Sequence, residues 1–163
     1  MKKASKICLL IGGILGIVLA VTWFALTVFF FVWGGIATAV ASGADVAANI
    51  KDAIYDWAVR YLDGSYYTPE QLWTAIAAVC FAEGVLYLVM MLFAIPAAVI
   101  SFILRKKEKT GLPLPIVLAI LSWSGNIAAF AGAALAIVNW AIFERKEGNE
   151  EPKAVEQKEE KAE

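Results

Sequence analysis

The sequence predicts an all-α fold, an integral membrane helical bundle of four transmembrane helices, or alternatively three, with one amphipathic helix on the outer surface. Two observations predict it. Apolar residues fill 61% of the 163 positions, against roughly 45–50% in an ordinary soluble domain, and the mean hydropathy is +0.70. The charges are also segregated, falling in residues 1–6, 45–70, 105–109 and beyond Phe143, with Glu83 alone elsewhere. A soluble fold distributes charge over all its surface elements. A chain that confines charge between long apolar runs has those runs in lipid.

The first run begins at Ile7 and carries Ile, Leu, Val or Phe at seventeen positions before Trp33, each worth about −0.3 to −0.6 kcal/mol near the centre of an inserted helix. Between Ile17 and Trp33 there is no Gly, Pro or Asn to fold it back on itself. One helix is predicted over residues 7–35, ending near Gly34-Gly35. Lys2, Lys3 and Lys6 resemble the basic start of an export signal and Ala39-Val40-Ala41 a cleavage site. The apolar stretch, however, far exceeds the ~7–15 residues of a signal core, so an uncleaved span is expected. Cys8 precedes the apolar stretch instead of following it and is no lipoprotein cysteine.

Residues 45–63 have the period of an amphipathic helix: Val46, Ile50, Ala53, Ile54, Trp57 and Tyr61 recur at steps of three and four, and Asp45, Asn49, Asp52, Asp56 and Arg60 take the other face. Trp57 and Tyr61 suit the headgroup level of a bilayer, which places this segment on the outer surface. Asp56 and Arg60 have the spacing of an ion pair. Gly64 can end this helix, and Thr68-Pro69-Glu70-Gln71 opens the next, with Thr68 as cap, Pro69 at the first position and Gln71 completing a capping box. The second span is predicted over residues 71–104. A helix from Pro69 to Leu104 would be about 50 Å long against a hydrocarbon core of about 30 Å, so part of it protrudes.

The third run, residues 111–143, holds Ser122-Trp123-Ser124-Gly125-Asn126 at its middle, the turn-permitting cluster that the first run lacks. It divides into predicted spans at 111–124 and 126–143, or stays one helix. The shortness of the first arm opposes the hairpin; charge favours it. With four spans and an inner amino terminus, Lys and Arg divide 12 inside to 2 outside, whereas three spans divide them 7 to 7. The positive-inside rule therefore places both termini in the cytoplasm. Residues 147–163 are Glu- and Lys-rich with almost nothing apolar, and are expected to be a disordered charged tail.

The layout is a basic start into Gly12-Gly13-Ile14-Leu15-Gly16, one polar outer segment and an Arg105-Lys106-Lys107 turn, then Gly125-Asn126, Phe130-Ala131-Gly132 and Glu144-Arg145-Lys146. It resembles a family of small uncharacterised multi-spanning membrane proteins, a domain of unknown function, from Gram-positive bacteria, over about Met1 to Lys146. The resemblance implies a four-helix protein of the bacterial cytoplasmic membrane and supplies no catalytic residues.

The residues themselves carry little recognisable chemistry. There is no histidine, and no Cys-x-x-Cys, Gly-x-Ser-x-Gly or phosphate loop. Cys8 and Cys80 both lie in apolar runs, so no disulfide is expected. No enzyme activity, cofactor or metal is expected, and nucleic acid is not an expected partner. Glu83 is the candidate ion or proton site, because an ionisable group in a membrane helix is costly and calls for a reason. Gly12, Gly16 and Ala20 share one helix face, as do Ala128, Gly132 and Ala136, the spacing of close helix packing within the chain or between copies. Trp57, Tyr61 and Trp123 are the interfacial candidates. These features predict a non-enzymatic accessory or envelope-associated protein whose partners are the bilayer and, through its seams, other membrane proteins or itself. A small transporter or channel using Glu83 and a holin-like pore former are the alternatives.

Overall fold

The computed structural model describes residues 2–60, 68–107 and 111–144. Every element among them is helical: α1 (Lys2–Ala41), α2 (Ala48–Ala58), α3 (Pro69–Lys106), α4 (Pro113–Leu121) and α5 (Ile127–Asn139). A 3₁₀ turn, Ser122–Ser124, follows α4, and a π-helical turn, Trp140–Glu144, follows α5. Tyr61 and the end of the 45–63 segment, and the charged tail at 147–163 with Arg145 and Lys146 before it, lie outside the described residues.

Helix α1 passes through Gly34-Gly35, where the sequence suggested an end, and stops at Ala41, just before Gly43. Glycine inside a helix costs only about 1 kcal/mol, and at Gly34 the missing side chain makes room for the ring of Phe81, 3.1 Å from where a Cβ would stand. Gly43, with φ +85°, supplies the left-handed residue that a helix end needs. Its N–H donates to the Val40 carbonyl at 3.0 Å, and that of Ala44 to Ala39 at 2.9 Å. These two bonds close the Schellman motif. The stop signal was therefore Ser42-Gly43, eight residues beyond the glycines that first draw the eye.

Helix α2 is shorter than its periodic segment and turned relative to the expected face. Ile54 and Ala58 are fully buried and Trp57 half-buried, whereas Ile50 and Ala53 are exposed. The ion pair in this region joins Lys51 to Asp45 at 4.0 Å, in place of Asp56 with Arg60. Helix α3 opens as its capping box requires: the Gln71 N–H donates to Thr68 Oγ1 at 3.4 Å, and the Thr68 N–H to Gln71 Oε1 at 3.1 Å. It runs unbroken past Pro96, whose ring nitrogen leaves the Leu92 carbonyl without its usual donor.

The third run is two helices, not one. Leu118 packs in one cluster with Ala129 and Ala133, so α5 folds back along α4. Of the four helices in the three apolar runs, α1 and α3 alone are long and apolar enough to cross a membrane; the segments of the third run are shorter. Only 22% of the most apolar window of α1, and the same share of α3, is buried. The core helix of a soluble domain, by contrast, is mostly covered.

Packing divides the chain into two units, each taking part of α1 and α3. Unit 1 comprises Met1–Ala20 and the chain from Met91 onward; unit 2 is Val21–Met90. In unit 2 the core is aromatic. Phe30 stacks on Tyr87 with centroids 5.3 Å apart, Trp23 stacks on the same ring at 5.5 Å, and Trp57 meets Phe30 and Trp33 edge-on at 5.6 and 5.7 Å. Ile54, Ala58, Leu72, Ile76 and Cys80 complete that core. In unit 1 the core joins Leu9, Leu104 and Leu118 to the alanines Ala97, Ala129 and Ala133, and the packing candidates read from the sequence lie there.

Candidate functional site

Gly12 lies against α5 so closely that a Cβ on it would fall 2.6 Å from both the Cα and the N of Ala129. Gly132 meets Leu9 in the same way, with its Cβ position 3.0 Å from the leucine side chain, and its carbonyl accepts from Ser5 Oγ at 3.2 Å. Chain order rises along α1 as it falls along α5, so the two helices are antiparallel. On the neighbouring side Gly16 faces Ala98 at 2.9 Å and Gly13 faces the ring of Phe102 at 2.7 Å, which makes α1 antiparallel to α3 in this unit as well. Van der Waals contact drives helix association where no hydrophobic gain is available, and small residues bring backbones into its range.

Of the six packing candidates, Gly12, Gly16, Gly132 and Ala136 are buried, while Ala20 and Ala128 are half-buried. On α5 the covered face is Ala129, Gly132, Ala133 and Ala136, one residue round from the Ala128 register. Because Gly12 and Gly16 are occupied by contacts within the chain, their seam is not a free surface for a second copy.

Asn126 joins this seam to the hairpin turn. It is completely buried. Its Oδ1 accepts from the Ala129 N–H at 3.0 Å, capping α5, and its Nδ2 donates to the Gly12 carbonyl at 2.7 Å. Two opposite partners, a donor and an acceptor, fix which end of the amide points where. The other polar side chains of the turn are also buried and bonded to backbone: Ser122 Oγ donates to the Leu118 carbonyl at 2.6 Å and Ser124 Oγ to Leu121 at 3.2 Å. Gly125, at φ +95°, makes the reversal. What the turn presents outward is apolar, with Trp123 83% and Ile127 80% exposed.

Sequence reasoning marked residues 122–126 as a turn and missed that Asn126 reaches across 114 residues to α1. The signal was Asn before an apolar run, an ordinary helix cap. The structure leaves the other candidates apart. Trp57 packs into the aromatic core of unit 2. Glu83 is half-buried in α3 beside Gly84, whose Cβ position is 3.4 Å from the ring of Phe31, and makes no ion pair among the described residues. Among the described residues no group of three or more His, Cys, Asp or Glu could hold a metal ion.

No family model matches the chain, and no curated protein or solved structure does either.

Proposed function

We propose that this chain is a non-enzymatic accessory or envelope-associated protein of the bacterial cytoplasmic membrane, acting through its helix surfaces on lipid and on neighbouring membrane proteins. The observation that carries this reading is a pair of exposed apolar stripes. On α1, large apolar side chains are exposed from Ile7 to Val32 and on α3 from Phe81 to Ile103, about 38 Å and 33 Å at ~1.5 Å per residue. Each is close to the ~30 Å of a bilayer core. Lys6 closes one stripe and Arg105-Lys106-Lys107 the other, the arrangement expected of an inner membrane face.

In this reading α1 and α3 cross the membrane and α4 with α5 form a re-entrant hairpin from the inner side. Asn126 meets α1 at Gly12, six residues in from Lys6 and so only about 9 Å along the helix. A hairpin of that reach explains how a first arm too short to cross can still leave Arg145 and Lys146 in the cytoplasm. It also explains why the side chains of Ser122, Ser124 and Asn126 are buried on hydrogen bonds, since an unsatisfied polar group in hydrocarbon costs several kcal/mol. Both termini are then cytoplasmic and α2 is outside.

Cysteine labelling tests the topology in a background with Cys8 and Cys80 replaced. An impermeant maleimide added to intact cells should modify Asp52→Cys and leave Trp123→Cys untouched, and a fluorescent protein fused after Glu163 should mature in the cytoplasm. Labelling at both positions would make the hairpin a full crossing; an active phosphatase fusion at Glu163 would put the tail outside. The function is tested by flux. Proteoliposomes holding wild type or Glu83→Gln should leak ions and protons no faster than empty vesicles, and Glu83-dependent flux would replace the accessory reading with a carrier.

A further inference from the structure

At the end of unit 1 where α1 begins and α3 finishes, an open cavity of about 480 Å³ is lined by Lys6, Ile7, Leu10, Arg105 and Lys106. Its chemistry is divided. Three cations line it together with two aliphatic side chains, and no carboxylate is among the described lining residues. None of the three cations is in an ion pair among the described residues. Ile7 is more than half exposed, so part of the apolar wall is uncovered. Like charges held together without a counter-ion repel, and a bound anion removes that cost.

We propose that this cavity holds an anionic phospholipid, with Lys6, Arg105 and Lys106 on the phosphate and Ile7 and Leu10 against the first part of an acyl chain. Arginine recognises phosphate with two parallel N–H bonds, while lysine supplies a compact point charge. Basic pockets between membrane helices on the inner face are suited to such headgroups. A free inorganic anion would use the cations and leave the aliphatic wall without a role. The inside-positive charge bias alone would be met by Lys3 or Lys107, which do not line the cavity.

The inference rests on the membrane-embedded reading above, and the test separates the two. The full chain is purified in neutral detergent, and lipid retention is measured by native mass spectrometry with phosphatidylglycerol and phosphatidylcholine of identical acyl chains. Wild type should retain phosphatidylglycerol preferentially. Lys6→Gln, Arg105→Gln and Lys106→Gln should each weaken that retention about fivefold, whereas Lys3→Gln, the same charge change on the same helix, should match wild type. The charge-preserving Lys6→Arg should keep the preference, which a merely folding-related loss would not predict. Equal retention of the two lipids, or equal losses in Lys3→Gln and Lys6→Gln, overturns the site. Displacement of the lipid by millimolar inorganic phosphate identifies a free-anion site and overturns the lipid as occupant. A chain that stays monodisperse without detergent would instead overturn the membrane reading itself.

Discussion

Gly12→Val should lower the stability of the chain in detergent by about 3–5 kcal/mol, the largest loss of any single glycine substitution in α1. The position a Cβ would take lies 2.6 Å from two backbone atoms of Ala129, and backbone cannot swing aside as a side-chain end can. Ala129 is fully buried, and its N–H is held by Asn126. α1 must therefore move from α5 as a body. Overpacking of this kind costs about 1–3 kcal/mol, and separating the helices also strands the buried Asn126 amide, worth another 1–3 kcal/mol or so. The alanine series gives an internal ranking. Gly12→Ala should cost most, and Gly16→Ala less, because its neighbours are Ala98 and the Asn126 side chain. Gly13→Ala should cost less still, because the obstacle is the far end of the Phe102 side chain, which can swing aside, and Gly35→Ala, with nothing within 4 Å, should be neutral or gain up to about 1 kcal/mol of helix propensity. Unfolding midpoints along a titration with dodecyl sulfate measure the order. If Gly12→Ala unfolds no sooner than Gly35→Ala, the close approach of α1 and α5 is wrong.

The features legible in the sequence were local ones. The uninterrupted apolar run gave one long α1 because nothing in it favours a turn, and Thr68 to Gln71 announced the start of α3 because a capping box is complete within four residues. Residues 122–126 announced a break for the same reason. Ends and faces were harder. Gly34-Gly35 looks like a stop until Phe81, 47 residues on from Gly34, is known to need the space. The period of α2 was plain, yet Ile50 proved exposed and Ala58 buried, because the aromatic rings of Phe30 and Trp33 decide which side is covered. The small-residue stripe on α5 was visible only to within one residue, since a helix rich in alanine offers several nearly equivalent faces. Least legible was the basic cavity. Lys6 and Arg105 read as punctuation at the ends of separate runs, and only the antiparallel pairing of α1 with α3 brings them together.

Asn126→Leu should be the most damaging substitution in the hairpin, at about 2–4 kcal/mol, and its variants separate the two bonds that Asn126 makes. Leucine has nearly the same size but neither donor nor acceptor. Losing the cap on α5 leaves the buried Ala129 N–H without an acceptor, at about 1–3 kcal/mol. The lost bond from Nδ2 to the Gly12 carbonyl adds about 0.5–1.5 kcal/mol. The Gly12 carbonyl suffers less, because it keeps the partner four residues along its own helix. Asn126→Ser should then recover part of the loss, since a hydroxyl can accept from the α5 backbone but does not extend to Gly12. Asn126→Asp keeps the acceptor and replaces the donor to Gly12 with an oxygen facing an oxygen, so it should fall well below wild type. Hydrogen exchange in detergent reads the two bonds apart. All three variants should lose protection where α1 meets α5, but only the leucine variant should also expose the first turn of α5, including the Ala129 amide. Uniform loss across α5 in Asn126→Ser would show that capping is not what the side chain contributes. Wild-type protection at Gly12 to Gly16 in the same variant would show that the bond across to α1 contributes nothing.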